Sequence, residues 1–193
     1  MIQAIKLGRC FGDRDVFCDL DLDVPKGAFL MVSGSNGSGK STLLSLFAGL
    51  LAPTSGDLRV GVPRSEIGYL GHESLVYKEL TPLENLNFFG CLYRVSCRHK
   101  RIEMLLKRYG LWEVRSERVS TFSRGMVQRL ALCRTLLHDP GLVLLDEPYA
   151  GLDAAGIELL DIDLAEICST KTLVISSHLP ERIEHLVTLR FTL

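Results

Sequence analysis

An α/β fold built on a parallel sheet is what this sequence predicts, and three observations predict it. Short, mostly apolar runs of strand length recur at Phe29 to Val32, Ile67 to Leu70, Leu142 to Leu145 and Thr172 to Ser176. Each gives way to glycine or polar residues, as happens where a buried strand leaves a sheet. Helical spacing lies between the last two, over Ile157 to Ile167, and strand, helix, strand at this distance requires a right-handed crossover and parallel pairing.

The chain opens on two alternating segments, Ile2 to Leu7 and Val16 to Val24. In the second, Leu20, Leu22 and Val24 alternate with Asp19, Asp21 and Asp23, a period of two that predicts half-solvated antiparallel strands. After the buried run Phe29 to Val32, helical spacing appears at Leu43, Leu44, Leu46, Phe47 and Leu50 and stops near Pro53. From Pro82 the character changes: PLENLNFFGCLYRV and HKRIEMLLKRYGLW read as amphipathic helices broken around Ser96 and Gly110, and a third helix covers Met126 to Leu137. Residues 1–193 therefore form one domain, an α/β lobe from 1–72 and 139–193 interrupted by a helical block at 73–138. No internal repeat or low-complexity segment is present.

With 193 residues, 47% of them hydrophobic, the chain can bury one sizeable core. Lys and Arg number 22 against 23 Asp and Glu, so no basic excess attracts nucleic acid, and no direct nucleic-acid partner is expected. The six cysteines form no Cys-x-x-Cys and no zinc-like pattern with histidine; they read as small hydrophobes in a reducing compartment. MIQAIKLGRCFGDRD has no continuous apolar signal core, and no stretch approaches the roughly 18 residues of a membrane span. The expectation is a cytoplasmic protein that reaches a membrane only through a partner.

Directly after Phe29 to Val32 stands GSNGSGKST, with Gly34, Gly39, Lys40 and Ser41 in the order Gly-x-x-x-x-Gly-Lys-Ser. Gly34, Ser35, Asn36, Gly37, Ser38 and Gly39 let backbone N–H groups curl around nucleotide phosphates. Lys40 adds a mobile charge, the Ser41 hydroxyl suits Mg²⁺, and Thr42 continues a helix whose N-terminus faces the same anion. A chance match is expected in roughly 1% of chains this long, and the strand before and helix after lower that further. A dinucleotide-binding Gly-x-Gly-x-x-Gly does not fit the spacing of Gly34, Gly37 and Gly39.

LVLLDEP delivers Asp146 and Glu147 at the carboxyl end of a buried strand, where open α/β sheets bind ligands. Asp146 suits holding Mg²⁺, and Glu147 suits orienting and deprotonating a water that attacks a γ-phosphate. Without the glycine loop both would read as an acidic loop cap. TLVISSH places His178 just past another strand, where a neutral imidazole can donate to the γ-phosphate and register its loss. In IGYLGHES, His72 and Glu73 follow a third strand end in the same way; a solvated loop histidine is the plain alternative.

Ser120 to Leu130, STFSRGMVQRL, has a Ser-x-Gly turn opening a helix. Together with GSNGSGKST, LVLLDEP, AGLD at Ala150 to Asp153 and SSH at Ser176 to His178, it makes the chain resemble the ATP-binding subunits of ABC transporters over essentially its whole length. That resemblance implies a P-loop NTPase (RecA-like) core with an antiparallel β subdomain and an inserted helical subdomain. It implies ATP hydrolysis with ATP and Mg²⁺, Phe11 stacked on adenine, and Asp153 in a loop that crosses between two subunits. FSRGM occupies the family's Leu-Ser-Gly-Gly-Gln motif, keeping Ser123 and Gly125 but carrying Arg124 and Met126 at the other positions. Ser123, the Gly125 N–H and the helix N-terminus make an anion site with no phosphate loop of its own. In the family it closes on the nucleotide of a second copy, so two chains sandwich two ATP head to tail. Arg124 is either a solvated turn residue or a contact to the partner's nucleotide or loop.

Further implied are a separate transmembrane permease, docked beside the helical block, and a place on the cytoplasmic face of the membrane. His72 stands where most of the family has a glutamine that touches Mg²⁺ and the attacking water, with Glu73 as the alternative occupant. YLGHESLVYKELTPLENLNFF and FSRGMVQRLALCRTLLHDPGLVLLDEPYAGLD are similar to the ATP-binding subunit of haem exporters in cytochrome c biogenesis. Transport of another substrate, or a soluble relative acting on nucleic acid or ribosomes, are the alternatives. The soluble relatives carry long coiled-coil inserts or a second nucleotide domain, and neither stands in this sequence.

Overall fold

The computed structural model describes residues 1–193. In chain order it contains β1 (Ile2–Phe11), β2 (Arg14–Val24), β3 (Phe29–Ser33), α1 (Lys40–Phe47), β4 (Ser55–Val60), β5 (Ile67–Leu70) and α2 (Pro82–Leu92). There follow α3 (Arg98–Arg108), α4 (Arg124–Leu136), β6 (Leu142–Asp146), α5 (Ala154–Cys168), β7 (Thr172–Ser176), α6 (Pro180–Ile183) and β8 (Leu189–Thr192). Strands β2, β1 and β4 make an antiparallel sheet, and β5-β6-β7-β3-β8 make a parallel one.

The central strands are apolar on both faces because each face meets its own core. Phe29, Met31, Val143, Leu145, Leu173 and Ile175 join the cluster that contains α3, α4 and α5 side chains. Leu30, Val32, Leu142, Leu144 and Val174 alternate with them and join the cluster of α1 and the antiparallel sheet. The acidic stripe of β2 faces outward as its period predicts: Asp19, Asp21 and Asp23 are exposed while Leu20 and Val24 are buried. No helix is long and apolar enough to cross a membrane.

Two strands exceed the expectation, β4 and β8, and both are edge strands. Their sequences, SGDLRV and LRFT, hold too few buried residues to stand out by pattern. In the 73–138 block α2 and α3 end before their apolar spacing does, at Leu92 and Arg108, whereas α4 starts two residues ahead of Met126, at Arg124. In α2 the start is fixed by a capping box, in which Thr81 and Glu84 satisfy each other's backbone N–H and Pro82 takes the first turn.

A polar clasp ties α3 to α5. The Arg108 Nε donates to Asp163 at 2.5 Å, Arg108 Nη2 pairs with Glu166 at 2.7 Å, and the buried Tyr109 hydroxyl donates to Asp163. Burial pushes the Asp163 carboxyl up, and the Tyr109 hydroxyl and the Arg108 guanidinium oppose that rise. Replacing Asp163 with Ala should cost about 2 kcal/mol in urea denaturation, chiefly because the Tyr109 hydroxyl loses its acceptor. Glu166→Ala, at a carboxylate 60% exposed, should cost under about 1 kcal/mol.

Candidate active site

The carboxyl ends of four parallel strands lie in register. Val32 is opposite Ser176, Ser176 opposite Asp146, and Leu145 opposite Leu70. Whatever follows these strands converges on one edge of the sheet. There a cavity of about 720 Å³ is lined by Phe11, Asn36, Gly37, Gly39, Lys40, Ser41, Thr42, His72, Asp146, Glu147 and His178. All of these are residues that the sequence nominates.

The glycine loop owes its course to backbone that only glycine adopts readily. Gly34, Gly37 and Gly39 have φ of 144°, 81° and 103°. A Cβ on Gly39 would lie 2.6 Å from Val16 Cγ1, so the loop is pressed against the β1–β2 hairpin. Gly39 precedes α1 without a side-chain cap, which leaves the first N–H groups of that helix free for an anion. Lys40 Nζ donates to the carbonyls of Gly34 at 2.8 Å and Ser35 at 2.9 Å. Ser35 contributes that carbonyl and does not line the cavity, and the Ser38 hydroxyl is buried with no hydrogen-bond partner.

Asp146 ends β6 and is 3% exposed. Its Oδ1 accepts from the Ser176 hydroxyl at 2.5 Å, and its Oδ2 is buried without a partner. Glu147 turns out of the strand with φ 49°, its N–H donating to the Ser176 carbonyl at 3.0 Å and hydroxyl at 3.2 Å. The His178 N–H donates to Glu147 Oε2 at 3.0 Å. The His178 Nε2 lies 3.2 Å from Oε1 but is not aligned for a hydrogen bond, so Oε1 is also buried and unpartnered. Of the two residues after β5, His72 lines the cavity and Glu73 does not. Phe11 is 49% exposed, with the Arg9 guanidinium 4.4 Å over one face of its ring.

Ser123, Gly125 and Asp153 stand apart from this cavity. The Ser123 hydroxyl caps α4, accepting from the Met126 N–H at 3.2 Å, and Asp153 caps α5, accepting from the Gly156 N–H at 3.0 Å. A Cβ on Gly125 would sit 2.8 Å from the Gly151 carbonyl oxygen, so the start of α4 packs closely on the loop before α5. Sequence reasoning missed Ser176 as a site residue, because inside TLVIS it reads as one more strand position. It also missed Arg14, Asp15 and Val16, which line the cavity from the start of β2 and carry no motif.

The sequence model of the family described as ABC transporter matches residues 17–150, more than half of the chain. The chain belongs to the ABC transporter family. This ABC ATP-binding subunit is 37% identical to the ABC transporter ATP-binding protein NatA of Bacillus subtilis, over 96% of its own length and 82% of NatA. It is 34% identical to the lantibiotic transport ATP-binding protein SrtF of Streptococcus pyogenes, over 96% and 83%. It is 36% identical to the cytochrome c biogenesis ATP-binding export protein CcmA of Pseudomonas syringae, over 86% and 82%. A solved ATP-binding subunit of an ABC transporter superposes with a TM-score of 0.91 at 26% identity, covering 100% of this chain and 85% of that one. A dimeric cassette bound to ADP and phosphate superposes with a TM-score of 0.88 at 24% identity, covering 100% and 94%, and confirms the fold.

As an ABC cassette the chain is an ATPase with a P-loop core, an antiparallel subdomain and helices inserted between β5 and β6. Ser176 is the residue in this site most open to a structural test. Ser176→Ala would strip Asp146 Oδ1 of its donor beside an already unpartnered Oδ2. The expected loss is about 1 to 3 kcal/mol in chemical denaturation, with the helical content of the fold unchanged by circular dichroism.

Proposed function

We propose that this subunit hydrolyses ATP within a head-to-tail dimer and drives a separate membrane permease. The observation that carries the reading is the convergence of Lys40, Asp146, Glu147 and His178 on one cavity, with two buried carboxylate oxygens left unpartnered. Such oxygens are costly unless a cation, water or substrate completes them.

The residues fit Mg²⁺. Ser41 and Asp146 would hold it, with Asp146 Oδ2 as the open buried donor. No cluster of three His, Cys, Asp or Glu is assembled, which suits an ion that keeps its waters and shares the substrate's phosphates. When bound, Mg²⁺ supplies charge that neutralises the phosphate oxygens. The protein's own groups do the rest. Lys40 exchanges the Gly34 and Ser35 carbonyls for phosphate oxygens, and the N-terminus of α1 takes the same anion. Phe11, half exposed at the cavity wall, offers its ring to the adenine. Glu147 orients water and takes its proton as oxygen attacks the γ-phosphorus and the bond to the β-phosphate oxygen breaks in line. His178, already held against Glu147, and His72, which lines the same cavity, read the γ-phosphate and its departure. Ser123 and Gly125 lie outside the nucleotide cavity of their own chain, so they serve the nucleotide of a second copy, with Asp153 at that crossing.

The permease fits a second, more apolar cavity of about 650 Å³, lined among others by Leu75, Tyr77, Phe89, Leu92 and Tyr93. Leu75, three residues after His72, belongs to its wall, as do Phe89 and Leu92 of α2, and Tyr77, Phe88 and Leu92 are exposed. That continuity connects nucleotide sensing to a membrane partner, on its cytoplasmic face. Haem export for cytochrome c biogenesis is the substrate reading that the 69–89 stretch and the likeness to CcmA support. NatA and SrtF are matched at comparable identity, so the cargo is tested on the complex: haem should stimulate its ATPase, and stimulation by another cargo alone overturns the haem assignment.

Glu147→Gln should bind ATP with near wild-type affinity, lose at least about 100-fold in turnover, and accumulate as a dimer on size-exclusion chromatography with ATP. Normal turnover in that variant removes Glu147 from the hydrolytic role. Lys40→Ala should weaken ATP binding roughly 10- to 100-fold in a nucleotide titration, since a charge-assisted contact is lost; unchanged affinity contradicts the phosphate-loop assignment.

A further inference from the structure

Arg124 has a cation's chemistry and no counter-charge. It forms no ion pair, and its stem lies on Gly151, where a Cβ would meet Arg124 Cγ at 2.8 Å, Cδ at 3.0 Å and Nε at 3.1 Å. Gly151 has φ 78° and follows Glu147 by one short turn, in which the Ala150 N–H donates to the Glu147 carbonyl at 3.0 Å. Gln128, one turn along α4, donates to the Pro148 carbonyl at 3.0 Å. The start of α4 is thus bonded and packed onto the segment that carries the carboxylate.

Beyond that contact lies a cavity of about 180 Å³, and Arg124 shares its walls with Gly71, His72, Asp146 and Glu147. His72, Asp146, Glu147 and Ala150 also line the nucleotide cavity, so the two spaces meet at these residues. Arg124, which makes no ion pair, therefore shares one small space with Asp146 and Glu147, whose Oδ2 and Oε1 have no hydrogen-bond partner, Oε1 lying 3.2 Å from His178 Nε2. Arg124 is exposed in the single chain, so the attraction between these opposite charges is screened by water until the space closes.

We propose that Arg124 is a positioning residue for the Glu147 of its own chain, coupling the nucleotide engaged by Ser123 and Gly125 to hydrolysis at the other nucleotide. The inference rests on the ATP-sandwich dimer proposed above. Ser123 and Gly125 flank Arg124, so their closure on a partner's phosphate fixes the turn from which the guanidinium projects. Gly151 holds the stem, and the charge is then set on the side of the cavity that contains Glu147. One arginine thereby serves both sites, reading one and ordering the other.

Mixed dimers separate action within the chain from action across the interface. Two differently tagged chains are paired, Glu147→Gln silences one site, and single-turnover phosphate release is read from the other. Arg124→Ala is placed either on the chain with the intact Glu147 or on the Glu147→Gln chain, and the reference dimer keeps both arginines. On the intact-Glu147 chain, release should fall on the order of tenfold with ATP affinity unchanged; on the other chain it should stay within about twofold. Arg124→Lys on the intact-Glu147 chain should restore most of the loss, and Arg124→Met, which keeps the stem without the charge, should not. Loss confined to the Glu147→Gln chain, equal loss in both arrangements, or no loss in either overturns the proposal. Failure of the wild-type chain to hydrolyse ATP or to dimerise with it overturns instead the functional reading on which the proposal rests.

Discussion

The pairing of β6 with β7 is the constraint on which the rest of the site depends. Register places Asp146 opposite Ser176, and the Ser176 hydroxyl then donates to Asp146 while accepting, with the Ser176 carbonyl, from the Glu147 N–H. One serine fixes two neighbouring carboxylates in different orientations. Asp146 stays in the strand with one oxygen tied and the other open, and Glu147 is turned out of the strand into left-handed backbone. That conformation costs a non-glycine residue about 1 kcal/mol or more, and it persists because the surrounding bonds determine it.

The two hydrophobic cores make this edge possible. Central strands buried on both faces cannot slip by a residue without exchanging one core's side chains for the other's, so their ends stay level. Level ends bring the glycine loop, His72, the acidic pair and His178 to one cavity although they are far apart in the chain. The helical block shares the core of one sheet face and is also clasped to α5 through Arg108, Tyr109 and Asp163. The start of α4 is held against the loop before α5 by the close approach of Gly125 to Gly151 and by the Gln128 bond to the Pro148 carbonyl.

Legibility followed the strength of the local pattern. The four buried strands, α1 and the glycine loop were readable because burial on both faces and tight phosphate turns each impose a demanding residue pattern over few positions. The edge strands β4 and β8 were not, because a strand with one paired side and partial exposure tolerates almost any alternation. In the 73–138 block Thr81 and Ser123 cap the starts of α2 and α4, while the apolar spacing runs on past the ends of α2 and α3 and so did not mark where they stop. Arg14, Asp15 and Val16 entered the site only because the hairpin folds over Gly39, a contact between segments that no local motif records.

By itself the sequence located the glycine loop, the acidic pair, the two strand-end histidines and the family, since these depend on residue type at fixed spacing along the chain. Only the tertiary structure shows that His72 and not Glu73 lines the cavity, because that depends on how the segment leaves β5. It likewise revealed the role of Ser176, whose partners lie on a neighbouring strand, and the setting of Arg124. In the sequence that arginine is a departure at a turn; in the fold it is an unpaired charge resting on Gly151 at the edge of the Glu147 cavity. Spacing along a chain specifies chemistry that local backbone can build, whereas a charge acquires its partner only when distant segments pack.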